Sequence, residues 1–196
     1  MRILLLLLAL GRAASTTAIT DANVDAACDL WVTNEASANS TYGPVSAWDT
    51  ELLTDARKVF CGTTGLECSG KVAFRSFNAD LDAWDVGSLT QMYRMFQDAE
   101  DFNSDLNSWD VASVTSMRSA FTLANEFNSE LSSWDVGSFH RMYRMLRATN
   151  INRDLGYWDI ASVTWMHYRF WQTPDDSDCN KAASSARLTA PDHPHG

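Results

Sequence analysis

The sequence FNADLDAWDVGSLTQMYRMF at residues 77–96 decides how this chain is interpreted, because it recurs three times downstream. The later copies are FNSDLNSWDVASVTSMRSAF at 102–121, FNSELSSWDVGSFHRMYRML at 127–146 and INRDLGYWDIASVTWMHYRF at 151–170. The steps from Trp84 to Trp109 and from Trp109 to Trp134 are each 25 residues, and the step to Trp158 is 24. Such a period is typical of a solenoid, in which one copy cannot bury its apolar face alone.

A degenerate first copy, VSAWDTELLTDARKVF, precedes these four at residues 45–60. The step from Trp48 to Trp84 is 36 residues, so we predict an insertion at 61–76, in a surface loop. We therefore predict a five-copy repeat region over 45–172. Residues 19–44 are predicted to form a capping helix and a turn, with Asp21 as the N-cap. Residues 173–196 lack the repeat and are predicted to be a loose tail.

Two periodicities alternate within each copy. Leu106, Trp109, Val111 and Val114 follow the pattern L-x-x-W-x-V-x-x-V, which predicts a short strand with Trp109 and Val111 pointing inward. Met117 and Phe121, four residues apart, predict a short helix after the strand. The fold class predicted from the sequence is therefore α/β, with one short parallel strand and one short helix in each copy of about 25 residues.

The N-terminus and the charge predict the compartment. Residues 1–18 combine a basic start, an apolar run and small residues, which is typical of a secretory signal peptide. No later segment approaches the roughly 20 apolar residues that cross a bilayer. The formal net charge of −10 becomes −12 once Arg2 and Arg12 are removed, which disfavours nucleic acid and anionic lipid as partners. We expect a protein outside the cell, free or attached to its surface.

Export permits disulfides and glycosylation. Cys61 and Cys68 flank the short loop GTTGLE, so a local bridge between them is the favoured pairing. Cys28 and Cys179 can pair only if the N-terminal helix meets the tail. The alternative, a free thiol or a cross-link to another chain, is left open by the sequence. The sequence Asn39-Ser40-Thr41 is a glycosylation acceptor if the protein is exported by a eukaryote.

The repeat F-N-x-D-L-x-x-W-D-V-x-S-V-T-x-M resembles that of the BspA-like leucine-rich-repeat family, found in bacterial surface proteins and in secreted proteins of unicellular algae. The resemblance covers about 45–171 and is strongest in the three copies between Phe77 and Leu146. It implies a right-handed, leucine-rich-repeat-like solenoid with an adhesion or protein-binding role, and it brings no catalytic residues. His140 replaces the family's Thr, and the insertion is a second departure.

An aspartate follows each repeat tryptophan, at Asp49, Asp85, Asp110, Asp135 and Asp159. Strands about 4.8 Å apart would line these carboxylates up as a ladder, whose mutual repulsion must be offset. Hydrogen bonds to backbone amides or to a nearby Ser are the favoured explanation. Weak Ca²⁺ binding along the ladder is the alternative, although Ca²⁺ needs six to eight oxygens. Ser108 and Ser133 belong to the same candidate surface.

Two further patterns suggest binding surfaces. Acids precede each strand and arginines lie on the predicted helices, at Asp80, Asp105, Glu130 and Asp154 and at Arg94, Arg118, Arg144 and Arg169. A solvated face is the favoured explanation of these columns, and a docking surface for a basic partner is the alternative. The last copy carries aromatic residues at three normally exposed places, Tyr157, Trp165 and Trp171. These aromatics either lie under the tail as a C-terminal cap or form a stacking platform for a sugar or a partner chain.

These observations favour a non-enzymatic protein-interaction or adhesion module without a cofactor, because no paired nucleophile, phosphate loop or CxxC-type metal motif is present. The expected partner is an extracellular protein or glycan. A carbohydrate-binding protein that uses the aspartate ladder and Tyr157 is one alternative, with sugar hydrolysis less favoured because identical repeats give identical carboxylate environments. A structural component of a wall or matrix is another alternative.

Overall fold

A computed structural model of the chain describes residues 17–63, 68 and 71–165. Helix α1 is Val24–Thr33 and helix α2 is Glu35–Tyr42, and short 3-10 helices follow at Val45–Ala47 and Val72–Ser76. In the remainder of these ranges the chain forms turns and extended segments without a regular strand, and its parallel pairing occurs at isolated bridges. Residues 1–16 of the signal peptide predicted over 1–18, the tail and Trp171 lie outside the described residues.

Neighbouring copies are joined by main-chain hydrogen bonds at equivalent places. Every second amide from Met92 to Asp98 donates to a carbonyl of the next copy, at residues 116, 118, 120 and 122, over 2.8–3.1 Å. Residues 56–62 donate in the same way to 91–97, and residues 117–123 donate to 141–147. One parallel bridge per step marks the register, at Asp55–Gln91, Gln91–Ser116, Ser116–Arg141 and Arg141–Trp165. Equivalent residues of these copies therefore lie side by side.

We call these main-chain hydrogen bonds between copies the main-chain ladder, to distinguish it from the predicted aspartate ladder. It lies in a different part of the copy from the strand that the sequence pattern predicts. The pattern places a strand at Trp109–Asp110–Val111 and a helix over 117–121, whereas the described residues pair across copies over 116–123 and contain no helix there. An α-helix would use these amides within one copy, and they would then be unable to donate to the next one. Apolar residues at i, i+3 and i+4 suit this succession of turns as well as a helix.

Each ladder segment bends through turns that contain left-handed residues. The Met95 amide donates to the Met92 carbonyl, closing a turn whose third residue, Arg94, has φ 58°. Positive φ at the third position is what a type II turn requires. The equivalent residue in other copies is Lys58, Ser119 or Arg144, and a second left-handed residue follows at Asp98, Leu123 or Ala148. Non-glycine side chains thus occupy a conformation that disfavours them by about 1 kcal/mol each.

We expect Ala148→Gly to stabilise the protein by about 0.5–1 kcal/mol, because glycine adopts φ 55° without a Cβ clash. Urea unfolding should show a higher midpoint. The matched control is Ala36→Gly on the exposed side of α2, which should lower the free energy of unfolding by a similar amount. A lower midpoint for both variants would contradict the left-handed turn.

The repeat tryptophans are buried and join successive copies. All five are at most 7% exposed. The indole Nε1 of Trp109 donates to the Leu81 carbonyl of the preceding copy, over 2.9 Å. Trp84, Trp134 and Trp158 make the equivalent bond over 2.7–3.0 Å. Because a buried indole N–H needs an acceptor, this contact fixes how one copy sits on the next.

Phenylalanines form two stacked columns beside the tryptophans. Phe60, Phe96 and Phe121 form one column, with successive ring centroids 5.5 and 5.3 Å apart. Phe77, Phe102 and Phe127 form the other, at 5.8 and 5.9 Å. Asparagines connect the adjacent bend, since Asn103 Oδ1 accepts the Asn128 amide over 2.8 Å, and Asn78 and Asn128 accept from the next copies similarly. The repeated F-N pair therefore supplies one core contact and one connection between copies.

The N-terminal region covers the first copy. Val24, Ala27 and Cys28 of α1 are buried, as their helical spacing predicts. Lys71 of the insertion contacts Asp25 and Asp29 of α1, with Nζ–Oδ1 distances of 2.8 and 3.2 Å. The insertion also buries Phe74 against Phe60, with ring centroids 5.7 Å apart, so it contributes to the core and is not only a surface loop.

The prediction that Asp21 caps α1 is wrong. The residue preceding α1 is Asn23, whose side chain makes no cap hydrogen bond to the helix. Asp21 instead accepts the amides of Thr54 and Asp55, over 2.8 and 3.0 Å, and the Thr54 hydroxyl. It therefore ties the N-terminal region to the start of the first ladder segment. Sequence spacing favoured a local cap and could not show that the Thr54 donors to Asp21 lie 33 residues away.

Asp21 should make stability depend on pH. Burial acts to raise the pKa of Asp21, but the hydrogen bonds from Thr54 and Asp55 and the charge of Arg57 outweigh it, and the pKa is lowered. A lowered folded-state pKa stabilises the protein above the unfolded value of about 3.9, and that stabilisation is lost as pH falls through the folded pKa. Asp21→Ala should lower Tm at pH 7, with a smaller difference from wild type near pH 2.5. Asp101→Ala is the exposed control, and an equal loss at both pH values would contradict this role.

Candidate functional site

Four of the five aspartates of the predicted ladder each close a turn in their own copy. Oδ1 of Asp110 accepts the amide of Ala112 over 3.1 Å. Asp85, Asp135 and Asp159 accept the amide two residues ahead in the same way, over 3.0–3.1 Å. Asp80, Asp105 and Asp154 in the second acidic column do so over 2.8–3.0 Å. One oxygen of each carboxylate is therefore committed to the backbone.

The carboxylates of Asp85 and Asp110 in neighbouring copies both lie near Gly87. A Cβ built on Gly87 would lie 3.5 Å from Asp85 Oδ1 and 3.8 Å from Asp110 Oδ2. Within the described ranges, no group of three or more His, Cys, Asp or Glu side chains could hold a metal ion. Ser108 and Ser133 are exposed, and their hydroxyls donate to the carbonyls of Asp82 and Asn107 in the preceding copy. These serines thus have a role between copies.

A different surface combines aromatic rings and cations, and we call it the Tyr–Arg stack: Lys58, Tyr93, Arg94, Arg118, Tyr143 and Arg144. The Arg118 guanidinium lies between two rings, with Cζ 5.4 Å from the Tyr93 centroid and 5.5 Å from the Tyr143 centroid. Arg94 Cζ lies 4.9 Å from the Tyr93 centroid, and Arg144 Cζ lies 4.8 Å from the Tyr143 centroid. Cations at these distances are attracted by the quadrupole of the ring.

The Tyr–Arg stack follows from the register of the main-chain hydrogen bonds between copies. Tyr93, Arg118 and Tyr143 are spaced 25 residues apart and occupy the same place in consecutive copies. Met92 and Met95 are fully buried. Tyr93 and Arg94 between them are half-buried, and Arg118 in the next copy is exposed. The arginines of the stack stand out in the sequence as a column, whereas Tyr93 and Tyr143 do not recur in every copy and were not predicted. An alignment of the copies, position by position, shows Tyr93 and Tyr143 at equivalent places on either side of Arg118.

The stack concentrates positive charge in an acidic protein. Burial, and next the charge of Arg118, lower the pKa of Arg94 from its ordinary value. Asp98 acts against this shift, and Arg144 adds to it. The positive charges of Arg118 and Arg144, on the two following copies, therefore disfavour the charged form of Arg94. An anion near them would relieve that repulsion.

A cavity of about 470 Å³ lies at the C-terminal end of the stack. Arg118, Arg141, Tyr143 and Trp165 line it, and Trp165 is 63% exposed. A second cavity, of about 380 Å³, lies at the other end of the stack beside Tyr93, where acidic and basic side chains of the N-terminal region mix. The two cavities thus differ in charge, since the described lining of the larger one contains only basic and aromatic residues.

The predicted aromatic platform is brought together only in part. Trp165 belongs to the larger cavity, whereas Tyr157 is 79% exposed and does not line it. The position of Trp171 lies outside the described residues, so its predicted place on this surface stays a prediction.

Cysteine and asparagine positions complete the candidate sites. The structure joins Cys61 and Cys68 in a disulfide whose Cα atoms are 5.8 Å apart. Cys28 is buried as a free thiol, and burial raises its pKa. The pairing with Cys179 that the sequence leaves open involves a residue that is not described. Asn39 is exposed in α2, and its glycosylation stays a prediction.

Comparison with known proteins identifies a family but no function. No curated protein and no solved structure is significantly similar to the chain. Over the described residues, no helix is long and apolar enough to cross a membrane. One family model, described as "Mycoplasma protein of unknown function, DUF285", matches residues 29–145 and 68–182. These overlapping matches cover most of the chain, and the family is one of surface repeat proteins. The chain is therefore a member of the DUF285 family.

Proposed function

We propose that this protein is a secreted or cell-surface repeat protein that acts as a non-enzymatic interaction module. In this proposal the copies over 45–172 stack as a leucine-rich-repeat-like solenoid, with α1 and α2 as the N-terminal cap. Cross-copy hydrogen bonds, buried indole contacts and stacked phenylalanines support the solenoid over the described copies. Membership of a family of surface repeat proteins supports the location.

The observation that carries the interaction role is the Tyr–Arg stack. Its side chains form a surface column over four copies, while the buried residues of the same segments already fill the core. Arg118 is exposed although its neighbours on both sides are aromatic rings. Aromatic residues and arginine are the residue types that dominate binding energy at protein surfaces. We therefore propose that this column contacts the partner.

The aspartate ladder is the weaker candidate surface. One carboxylate oxygen of each of four ladder residues accepts a backbone amide in a turn, which reduces its capacity for a ligand. These residues are Asp85, Asp110, Asp135 and Asp159. Carbohydrate binding through these aspartates and Tyr157 nevertheless remains a second proposal, because Tyr157 is the most exposed large apolar side chain described. A purely structural role in a wall or matrix is the third.

The interaction proposal is tested by immobilising the full chain and exposing it to extracellular extract from its source at low and at physiological salt. We expect a component to be retained by the wild type and by Asp110→Ala with Asp135→Ala, and to be lost with Arg118→Gln. If the component is lost with Asp110→Ala and Asp135→Ala but retained with Arg118→Gln, the aspartate ladder is the binding surface. Recovery of nothing at low salt would contradict the interaction role and favour the structural one.

A further inference from the structure

We propose that the cavity lined by Arg118, Arg141, Tyr143 and Trp165 binds an acidic polysaccharide, through a sugar unit that carries a carboxylate or sulfate group. The inference rests on the proposed function, because it assumes that the Tyr–Arg stack faces the partner. It adds the chemical class of that partner.

The lining supplies the two kinds of contact that an acidic sugar needs. Arg118 and Arg141 are both exposed, so their guanidinium groups can donate to a carboxylate or sulfate. The Trp165 ring, 63% exposed at the same cavity, offers an apolar face on which a pyranose ring can pack. A volume of about 470 Å³ falls within the range of ligand sites.

Charge makes this cavity distinct from the rest of the protein. The chain carries a formal net charge of −10, which should repel a polyanion from most of its surface. The stack gathers Arg94, Arg118 and Arg144 within reach of two tyrosine rings, so positive charge is local and ordered. Binding of a polyanion would therefore depend on this one surface. General attraction to a basic protein could not explain it.

The exposed tryptophan favours a polysaccharide over an acidic peptide. Arg118 and Arg141 can donate to the acidic groups of either polymer. The Trp165 face adds an apolar contact that suits the face of a pyranose ring and that the acidic side chains of poly-glutamate do not supply. A polymer of sugars can also continue from the cavity along the stack towards Tyr93.

The test is isothermal titration calorimetry of the full chain at 0.15 M salt with four polymers. Polygalacturonate carries carboxylates, dextran sulfate carries sulfates, dextran is neutral and poly-glutamate is an acidic peptide. We expect one or both acidic polysaccharides to bind, with dextran and poly-glutamate much weaker. Preference between the first two identifies the acidic group.

Variants assign the binding to the cavity. Arg118→Gln with Arg141→Gln should weaken binding by about tenfold or more, because each lost charge-assisted bond is worth about that factor. Trp165→Ala should also weaken binding, and since Trp165 is exposed the variant should keep its fold. The control, Arg75→Gln with Arg153→Gln, removes the same charge from exposed residues outside the cavity and should leave binding unchanged.

Several results would overturn the proposal: equal weakening by both double variants, binding of poly-glutamate with the same dependence on Arg118 and Arg141, or no binding of either acidic polysaccharide. The last result leaves the proposed function standing if Arg118→Gln still abolishes retention of the extracellular component. If nothing is retained there either, both proposals fail.

Discussion

Trp109→Ala is expected to lower the free energy of unfolding by about 3–5 kcal/mol, the usual cost of truncating a fully buried large aromatic side chain. Trp109 is 2% exposed and touches the Phe96 ring, with centroids 6.2 Å apart. Its loss would also remove the indole bond to the Leu81 carbonyl of the preceding copy. Urea unfolding followed by circular dichroism should show a midpoint far below that of the wild type.

Trp165→Ala is the matched control, because the same residue type is 63% exposed at the end of the ladder. It should change the free energy of unfolding by no more than about 0.5 kcal/mol. Trp109→Phe separates packing from hydrogen bonding, since leaving the Leu81 carbonyl without its donor should cost about 1–3 kcal/mol. Equal effects of Trp109→Ala and Trp165→Ala would contradict the buried row of tryptophans.

Gly62→Ala is expected to destabilise the protein by about 1–3 kcal/mol or more, as overpacking does when the surrounding atoms cannot move. A Cβ at this position would lie 2.4 Å from the Asp98 carbonyl oxygen and 2.8 Å from the Arg75 amide nitrogen. Both are backbone atoms, and Gly62 also donates to the Gln97 carbonyl in the ladder. Thermal unfolding should show a clearly reduced Tm.

Gly87→Ala provides the control for this clash. Its Cβ would meet the Asp85 and Asp110 carboxylates at ordinary contact distances of 3.5 and 3.8 Å. Ala112 and Ala161 already occupy the equivalent place in other copies. We therefore expect a Tm close to that of the wild type. A tolerated Gly62→Ala would show that the first copy does not approach the second as described.

The sequence predicted those features that depend on spacing alone. The alternation of apolar and polar residues placed Trp109 and Val111 in the interior and Ser108 and Asp110 outside, and these burials agree with the structure. The short loop between Cys61 and Cys68 favoured the disulfide that the structure contains. Alternation of apolar and polar residues decides burial directly, so such inferences need no knowledge of the backbone path.

The path of the backbone could not be predicted in the same way. Left-handed conformations at Arg94, Ser119 and Leu123 have no signature in residues that usually avoid them, so the segment read as a helix. The single capping helix predicted within 19–44 is instead two helices, since α1 ends at Thr33 and α2 follows after Asn34, whose side chain accepts the Ser37 amide. Local hydrogen bonds of this kind compete with a helix, and spacing alone does not reveal which one prevails.

The candidate site was only partly predictable for a related reason. Exposed Tyr157 and Trp165 were evident as departures from the repeat, and the arginine column was visible in the alignment of copies. The contact of Arg118 with both Tyr93 and Tyr143 depends on which segment forms the ladder. A strand predicted at the Trp-Asp-Val segment made the aspartates the candidate surface. The main-chain pairing observed over 91–98 and 116–123 instead brings together the side chains of the Tyr–Arg stack.

The central claim is that equivalent segments of neighbouring copies pair through their main chains, and trans-hydrogen-bond NMR couplings test it most directly. In isotopically labelled protein, the amide nitrogens of Met92, Arg94, Phe96 and Asp98 should couple to the carbonyl carbons of residues 116, 118, 120 and 122. Couplings from these amides to carbonyls four residues earlier would instead show a helix within each copy, and would contradict the ladder on which the proposed site depends.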